Sequence, residues 1–171
     1  MSHLDRFTLA QDRAVDGYRT ALDEIRAGGK RSHWIWYIFP QLAGLGSSPT
    51  ARTYGIADAA EARAYLRHPV LRARLLEIAR SVAAQLRMRQ PASVRALMGS
   101  SIDTQKLVSS MTLFGDVAGR LHAAAAEEDR DSLDDHRALA EVAAEILAAA
   151  QADGYPACER TRQELASTRG V

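Results

Sequence analysis

A short stretch near the start of the chain carries four side chains that suit ligand chemistry: Lys30, His33, Trp34 and Trp36. Histidine can act near neutral pH as a general acid, a general base or a metal ligand. An indole offers a flat apolar face and one N–H group, which suits it to stack a ring or hold a cation. We therefore take His33 as the candidate catalytic residue and the other three as candidate ligand-binding residues. The alternative is that His33 bonds the backbone at a helix start while the rings fill the core.

A second group of polar side chains lies in the stretch KLVSSMTLF, which begins at Lys106. Ser109 and Ser110 follow Lys106 at helical spacings of three and four, so the three share a face beside an apolar stripe. Polar groups that border an apolar stripe are typical of small-ligand pockets. The alternative leaves Lys106 in solvent and the serine hydroxyls bonded to the helix backbone.

Other chemistries have weaker signals. The five histidines show no H-x-x-x-H or HExxH spacing, so we predict no metal site and no cofactor. The single cysteine, Cys158, excludes an intrachain disulfide, and no catalytic signature surrounds it. We expect Cys158 to be a small apolar residue in or near a helix, and we expect the acidic run at 127–135 to solvate a loop. Ser47 and Ser48 could present backbone N–H groups to an anion, although a plain helix cap is the favoured interpretation.

The charge balance argues against two classes of partner. The chain has 22 basic and 21 acidic residues, a net charge of +1, and so no global field to draw it onto nucleic acid or an anionic membrane. The N-terminal residues carry charges throughout, unlike a secretory signal. No apolar run approaches the roughly 20 residues that cross a bilayer. We therefore predict a cytoplasmic protein with no nucleic-acid or membrane partner.

The elements that must position these residues are helices. Apolar residues at steps of three and four, bounded by Gly, Pro and capping residues, mark most of the 171-residue chain. The sequence thus predicts one all-α domain, 1–171, of about seven to nine helices, several of them short. The predicted helical segments are 5–26, 33–39, a start at Pro49, 58–66, a start at Pro69, 91–99, 103–118, 138–152 and 158–166.

The aromatic segment SHWIWYIFPQ, residues 32–41, is the least regular of these. It does not alternate polar and apolar residues, so it fits a buried strand or a buried helical turn. Helical patterns on both sides favour the helix. We expect Ser32 to cap it and Pro40 to lie at or just past its end.

Several motifs together resemble a known family. The motifs are similar to the bacterial domain of unknown function numbered 1810, some members of which are labelled calpastatin, and they read AQ…Y…AL.EI..G.KRSHWIWYIFPQ, GLG.S, EARAYLRHPVLRARL and KLVSSMTLF. The resemblance runs from about Phe7 to Phe114, with a looser echo in DGYPACERTRQEL, and the segment 115–152 fits it poorly. It implies a single all-helical domain and brings no established activity. The calpastatin label fits poorly, because that inhibitor resembles a flexible proline-rich chain.

The resemblance adds polar residues to the candidate site. Gln11, Tyr18 and Gln41 are among the family's motif positions, and they join the candidate ligand-binding residues. Tyr37 stands where phenylalanine is commoner in the family, a change that adds one hydroxyl. The motif positions carried by the resemblance are Gln11, Tyr18, Lys30, His33, Trp34, Trp36, Pro40, Gln41, Gly44, Gly46, Tyr54, His68, Pro69, Lys106, Ser109, Ser110, Thr112 and Phe114.

Our leading hypothesis is a small-molecule site between the first helix, the aromatic segment and the Lys106 helix. Lys30 and Lys106 would hold an anionic group, an indole would stack a ring, and hydroxyl and amide groups would orient the ligand. A nucleotide or an ADP-ribose-like molecule combines these features. The alternatives are an interaction module or homodimer that uses the aromatic segment, and a buried polar network that serves only structure. The sequence does not decide whether the protein is an enzyme.

Overall fold

Ten α-helices and one 3₁₀ helix make up the computed structural model, which describes residues 3–88 and 93–167. The all-α prediction is confirmed, since no strand forms within these residues. The 3₁₀ helix is Glu127–Ser132. The α-helices are α1 (Asp5–Gln11), α2 (Tyr18–Arg26), α3 (Ile35–Ile38), α4 (Pro49–Thr53), α5 (Ala59–Arg67), α6 (Pro69–Met88), α7 (Val94–Met98), α8 (Ser101–Ala124), α9 (Leu133–Ala152) and α10 (Glu159–Ser167).

Helix α8 lies at the centre of the fold. Helices α3, α5, α7, α9 and α10 all pack against it, and α6 packs against α9, α2 and α5. Its Phe114 is fully buried and meets the ring of Tyr65 on α5, with the ring centroids 4.9 Å apart. Within the described part of the chain, no helix is both long and apolar enough to cross a membrane.

The single helix predicted over 5–26 is wrong, because the chain turns between α1 and α2. Asp16, just before the N-cap of α2, has a φ of 58°, in the left-handed region where an α-helix cannot continue. A Cβ on Gly17 would lie 2.0 Å from the carbonyl oxygen of Arg13, so only glycine fits where the chain folds back. Gly17 is therefore the N-cap of α2 and not a weak point inside one helix.

Most of the predicted helix starts are confirmed. Ser48 accepts a hydrogen bond from the backbone N–H of Ala51 at 3.1 Å, and Pro49 opens α4 behind it. Asp58 caps α5, and Pro69 opens α6. The predicted start at Pro91 lies outside the described residues.

The cap predicted at Ser32 is wrong. Trp34 is the N-cap of α3, and the Ser32 hydroxyl donates to the carboxylate of Glu24 on α2. The short helix itself is confirmed, and Pro40 follows its last turn as expected.

The acidic run at 127–135 does more than solvate a loop, which corrects the prediction. Asp129 is only 1% exposed and accepts two hydrogen bonds of 2.9 Å from the guanidinium of Arg67. The run forms the 3₁₀ helix and the first turn of α9. Its buried carboxylate thus ties α5 to the start of α9.

Candidate functional site

A cleft of about 820 Å³ lies between three parts of the chain. They are α8, the segment that leads into α4, and the segment that leads into α10. Pockets of this size hold small ligands in many proteins. Trp36 and Gln41 form one wall, and Lys106 and Ser109 of α8 form the floor. The other lining residues are Leu45, Gly46, Ser47, Ser48, Ala51, Ile102, Gln105, Val108 and 154–159.

The wall that carries Ser47, Ser48 and α4 is a compact loop closed at its base. Ala43 donates its backbone N–H to Ile56 at 2.7 Å, and Ile56 donates to Gln41 at 2.9 Å. These two hydrogen bonds hold the ends of the segment together, with α4 between them. Arg160 at the start of α10 donates to the carbonyl of Gly44 at 3.2 Å, which links the loop to the opposite wall.

Lys106 lies over the ring of Trp36. Its ammonium is 4.5 Å from the ring centroid, a cation–π distance, and its side chain is only 16% exposed. The same ammonium lies 3.5 Å from the carboxylate of Asp103, one turn earlier on α8. Trp36 is partly buried and contributes one of the cleft's two aromatic side chains, the other being Tyr155.

Two of the predicted binding residues, Lys30 and Trp34, lie behind this wall and do not line the cleft. Trp34 is fully buried, and its indole N–H donates to Glu24. The ammonium of Lys30 is 5.1 Å from the Trp34 ring centroid and 2.8 Å from Asp103, with the side chain 8% exposed. Both residues support the cleft from within the core.

Gln11 and Tyr18 also lie away from the cleft. Gln11 is buried and donates to the carbonyl of Tyr37 at 2.9 Å, which holds α1 against α3. Tyr18 donates to Glu77 at 2.5 Å in a surface depression beside α6. Burial and the Glu77 carboxylate raise the pKa of the Tyr18 phenol, so it stays protonated. The structure thus does not bring the first helix to the cleft.

His33 lies in a separate depression of about 570 Å³. It is exposed, and no hydrogen bond to its ring forms within residues 3–88 and 93–167. Trp36 lines both this depression and the cleft, so the indole separates His33 from Lys106. The predicted acid–base group and the predicted anion-binding group therefore lie on different sides of one ring.

The two neighbouring serines of α8 have different surroundings. Ser109 is 7% exposed and lines the cleft. Ser110 is fully buried, does not line the cleft, and its hydroxyl has no hydrogen-bond partner among the described residues. The structure thus brings Trp36, Gln41, Lys106 and Ser109 together out of the ten predicted site residues.

A family model for a protein of unknown function, DUF1810, matches residues 1–140. The chain belongs to the DUF1810 family. The resemblance read from the motifs is confirmed, and the match extends beyond residue 115, where those motifs weaken. The chain is similar to a solved structure, the conserved hypothetical protein Rv1873 from Mycobacterium tuberculosis, with 43% identity over 80% of this chain and 83% of that chain and a TM-score of 0.59. No curated protein matches it.

Sequence reasoning missed Asp103 in this DUF1810 protein. Its carboxylate lies between the ammonium groups of Lys30 and Lys106, at 2.8 Å and 3.5 Å. The three side chains of this cluster sum to one positive charge, and Glu159 adds one carboxylate to the lining of the cleft. The spacing of three residues between Asp103 and Lys106 was a signal for half of this cluster, whereas Lys30 is remote in sequence.

Cys158 was also missed, because its neighbours come from other parts of this DUF1810 chain. It lines the cleft just before α10, and its backbone N–H donates to the hydroxyl of Thr112 at 3.1 Å. Burial acts to raise the pKa of the thiol. The hydroxyl groups of Thr161 and Ser109 and the backbone N–H groups at the start of α10 favour the thiolate, outweigh burial and lower the pKa of the thiol below 9.0.

Metal binding has no geometric support in the described part of this DUF1810 chain. No three His, Cys, Asp or Glu side chains of residues 3–88 and 93–167 come close enough together to ligate an ion. The chemistry that the cleft offers is recognition by one ammonium, several hydroxyls, the two amides of Gln41 and Gln105, the carboxylate of Glu159 and one indole, with a thiol at its edge.

Proposed function

We propose that the protein binds a small anionic ligand that carries a flat ring, of the nucleotide class, in the cleft between α4, α8 and α10. The observation that carries this proposal is the ammonium of Lys106, which lies 4.5 Å over the ring of Trp36 inside a cleft of about 820 Å³. Because the ammonium and the indole are adjacent, one ligand can contact both, with an anionic group at Lys106 and a ring near Trp36.

The charges around Lys106 favour an anion. Lys30 is almost fully buried and holds Asp103 at the shorter distance of 2.8 Å, so Asp103 neutralises Lys106 only in part. A phosphate in the cleft would complete the contacts of Lys106, and charge-assisted hydrogen bonds of this kind are the stronger ones. The hydroxyls of Ser47, Ser48 and Ser109 line the same space and supply neutral donors.

The apolar lining favours a ring. Leu45, Ile102, Val108 and Tyr155 line the cleft beside the polar groups, and Ile102 is 64% exposed. An apolar lining with a few converging polar groups is typical of small-molecule sites. Gln41 adds an amide, which can pair with the edge of a base.

The aromatic segment offers a protein partner little surface, which favours the ligand proposal over the interaction module. Trp34, Ile35, Ile38 and Phe39 are at most 2% exposed. Of the segment's tryptophan, tyrosine and phenylalanine rings, Trp34, Tyr37 and Phe39 are at most 3% exposed. Trp36 is partly exposed and lines the two concave sites. Large exposed apolar patches are what mark protein interfaces.

Isothermal titration calorimetry with AMP, ADP, adenosine and inorganic phosphate tests the proposal. Lys106→Met keeps the apolar stem of the side chain and removes its charge, so we expect it to weaken nucleotide binding on the order of tenfold. Salt should weaken wild-type binding as well, because the contact is ionic. Absence of binding by all four compounds, or equal affinity of the wild type and Lys106→Met, would overturn the proposal.

Ser109→Ala and Ser110→Ala are a matched pair for this experiment. The two residues are adjacent on α8 and both are buried, but only Ser109 lines the cleft. We expect Ser109→Ala to weaken nucleotide binding severalfold through the loss of one hydrogen bond, and Ser110→Ala to leave it unchanged.

A further inference from the structure

Trp36 is the wall shared by two concave sites. On one side lies the cleft with Lys106, and on the other lies the depression with His33. Helix α4 completes the partition, since Ala51 lines the cleft while Thr50 and Thr53 line the depression. The two sites are therefore separated by one indole and one helical turn.

The depression has a different chemistry from the cleft. The rings of Tyr37 and Tyr54 meet edge to face with centroids 5.1 Å apart, and Arg13 donates to the Tyr54 hydroxyl at 3.2 Å. His33 and Trp36 complete an aromatic lining. Arg13 lies 5.6 Å from the Tyr37 ring centroid and Asp16 lies at the same site, so the charges of the depression are mixed. Aromatic groups with mixed polar edges suit a second ring better than a second phosphate.

We propose that the ligand of the cleft continues past Trp36 into the His33 depression. The ligand class would then be two ring systems joined by phosphate groups, a dinucleotide or a nucleoside diphosphate that carries a second ring. The phosphates lie at Lys106, one ring lies in the cleft, and the second ring lies against His33 and the outer part of Trp36. This inference rests on the proposed function, because it needs the anion to lie at Lys106.

The partition is built in a way that admits such a ligand. Trp36 is only partly buried, so a ligand can pass over the exposed edge of its indole from one site to the other. Every residue of α4 keeps part of its surface exposed, so the helical turn beside Trp36 is not anchored in the core. His33 is exposed and its ring bonds no described residue, which leaves both ring nitrogens available to a ligand.

Calorimetric titration of the full chain with ADP, ADP-ribose and diadenosine diphosphate tests the inference. We expect the two longer ligands to bind at least fivefold more tightly than ADP. His33→Ala should weaken the longer ligands about fivefold, the value of one hydrogen bond, and leave ADP unchanged. Lys106→Met should weaken all three ligands.

His122→Ala is the matched control, since His122 is also exposed but lies on α8 away from both sites. If His33→Ala and His122→Ala bind the longer ligands alike, or if ADP and the longer ligands bind equally well, the inference is wrong. Binding of ADP that still depends on Lys106 would then leave the proposed function standing. Absence of any nucleotide binding to the wild type would overturn both.

Discussion

The indole N–H of Trp34 donates a hydrogen bond of 2.8 Å to the carboxylate of Glu24. The same carboxylate accepts the backbone N–H of Arg31 at 2.7 Å and of Ser32 at 3.0 Å, as well as the Ser32 hydroxyl. Burial acts to raise the pKa of Glu24, but these donors lower it to about 2. One side chain of α2 thus organises the chain that leads into the aromatic segment.

Replacement of this carboxylate should therefore destabilise the protein. We expect Glu24→Gln to lower the free energy of unfolding by about 2 kcal/mol, since hydrogen bonds to a charged group are the stronger ones. The folded pKa lies below the unfolded value of 4.5, so the stabilisation is complete above pH 4.5 and is lost as the pH falls toward 2. Urea unfolding at a series of pH values measures both effects.

Asp23→Asn is the control for this prediction, because Asp23 is the neighbouring residue and is exposed. It should leave the stability within about 0.5 kcal/mol of the wild type. Equal losses in the two variants would show that the donors around Glu24 do not stabilise the fold.

Replacement of Arg67, which pairs with the buried Asp129, should cost much more unfolding free energy than replacement of the exposed Arg130. Arg67→Ala leaves the Asp129 carboxylate, 1% exposed, without its two hydrogen bonds, and we expect a loss of about 3 kcal/mol. Arg130→Ala removes an exposed pair with Glu127 and should cost no more than about 0.5 kcal/mol. Chemical denaturation of both variants at neutral pH measures the difference, and similar costs would contradict the prediction.

The helices could be predicted because their signals are local. The apolar spacing of α6 and the caps at Ser48, Asp58 and Ser93 all lie within a few residues of the elements that they define. The turn between α1 and α2 could not be predicted in this way. Apolar spacing continues across it through Val15, which is 75% exposed, and the close approach at Gly17 depends on the folded path of the chain.

The candidate site was predictable only in part. Lys106 and Ser109 share a helix face, so their spacing places them together, and the aromatic segment supplied Trp36 and Gln41. The wall of the cleft that carries Cys158 is formed by residues about 50 positions after Lys106. No local sequence pattern indicates that these residues lie near Lys106. His33 and Trp36 are three residues apart, but His33 precedes α3 and faces the other depression.

The buried His136 predicts a dependence of stability on pH. Burial lowers the pKa of His136 below 6.5, and the nearby charges act in both directions, Asp129 and Asp135 upward and Arg72 downward. The unfolded state therefore takes up a proton first as the pH falls. The stability contribution is complete above pH 6.5 and is lost as the pH falls through the folded pKa.

His136→Gln should remove this dependence. We expect the unfolding free energy of the wild type to fall more steeply than that of His136→Gln as the pH drops below 6.5, measured by urea denaturation. His122→Gln, an exposed histidine, is the control and should follow the wild type. Parallel pH profiles for the wild type and His136→Gln would contradict the prediction.

We expect the thiol of Cys158 to react more readily than that of an ordinary cysteine. Its pKa is lowered below 9.0, and the thiolate is the reactive form, so the midpoint of the pH profile for alkylation by iodoacetamide should lie below pH 9.0. Because Cys158 is the only cysteine of the chain, mass spectrometry of the intact protein follows this one reaction. A midpoint at or above 9.0 would contradict the prediction.

Substitution of the neighbouring residues Ser109 and Ser110 of α8 separates the cause of this pKa shift from general effects of mutation. The Ser109 hydroxyl is one of the groups that lower the thiol pKa, so Ser109→Ala should move the alkylation midpoint to higher pH. Ser110 is buried and does not line the cleft, so Ser110→Ala should leave the midpoint in place. A nucleotide in the cleft should also slow alkylation in the wild type, because Cys158 lines the same space as Lys106. The single thiol thus reports occupancy of the cleft, and protection that is lost in Lys106→Met would connect that occupancy to the anion-binding residue.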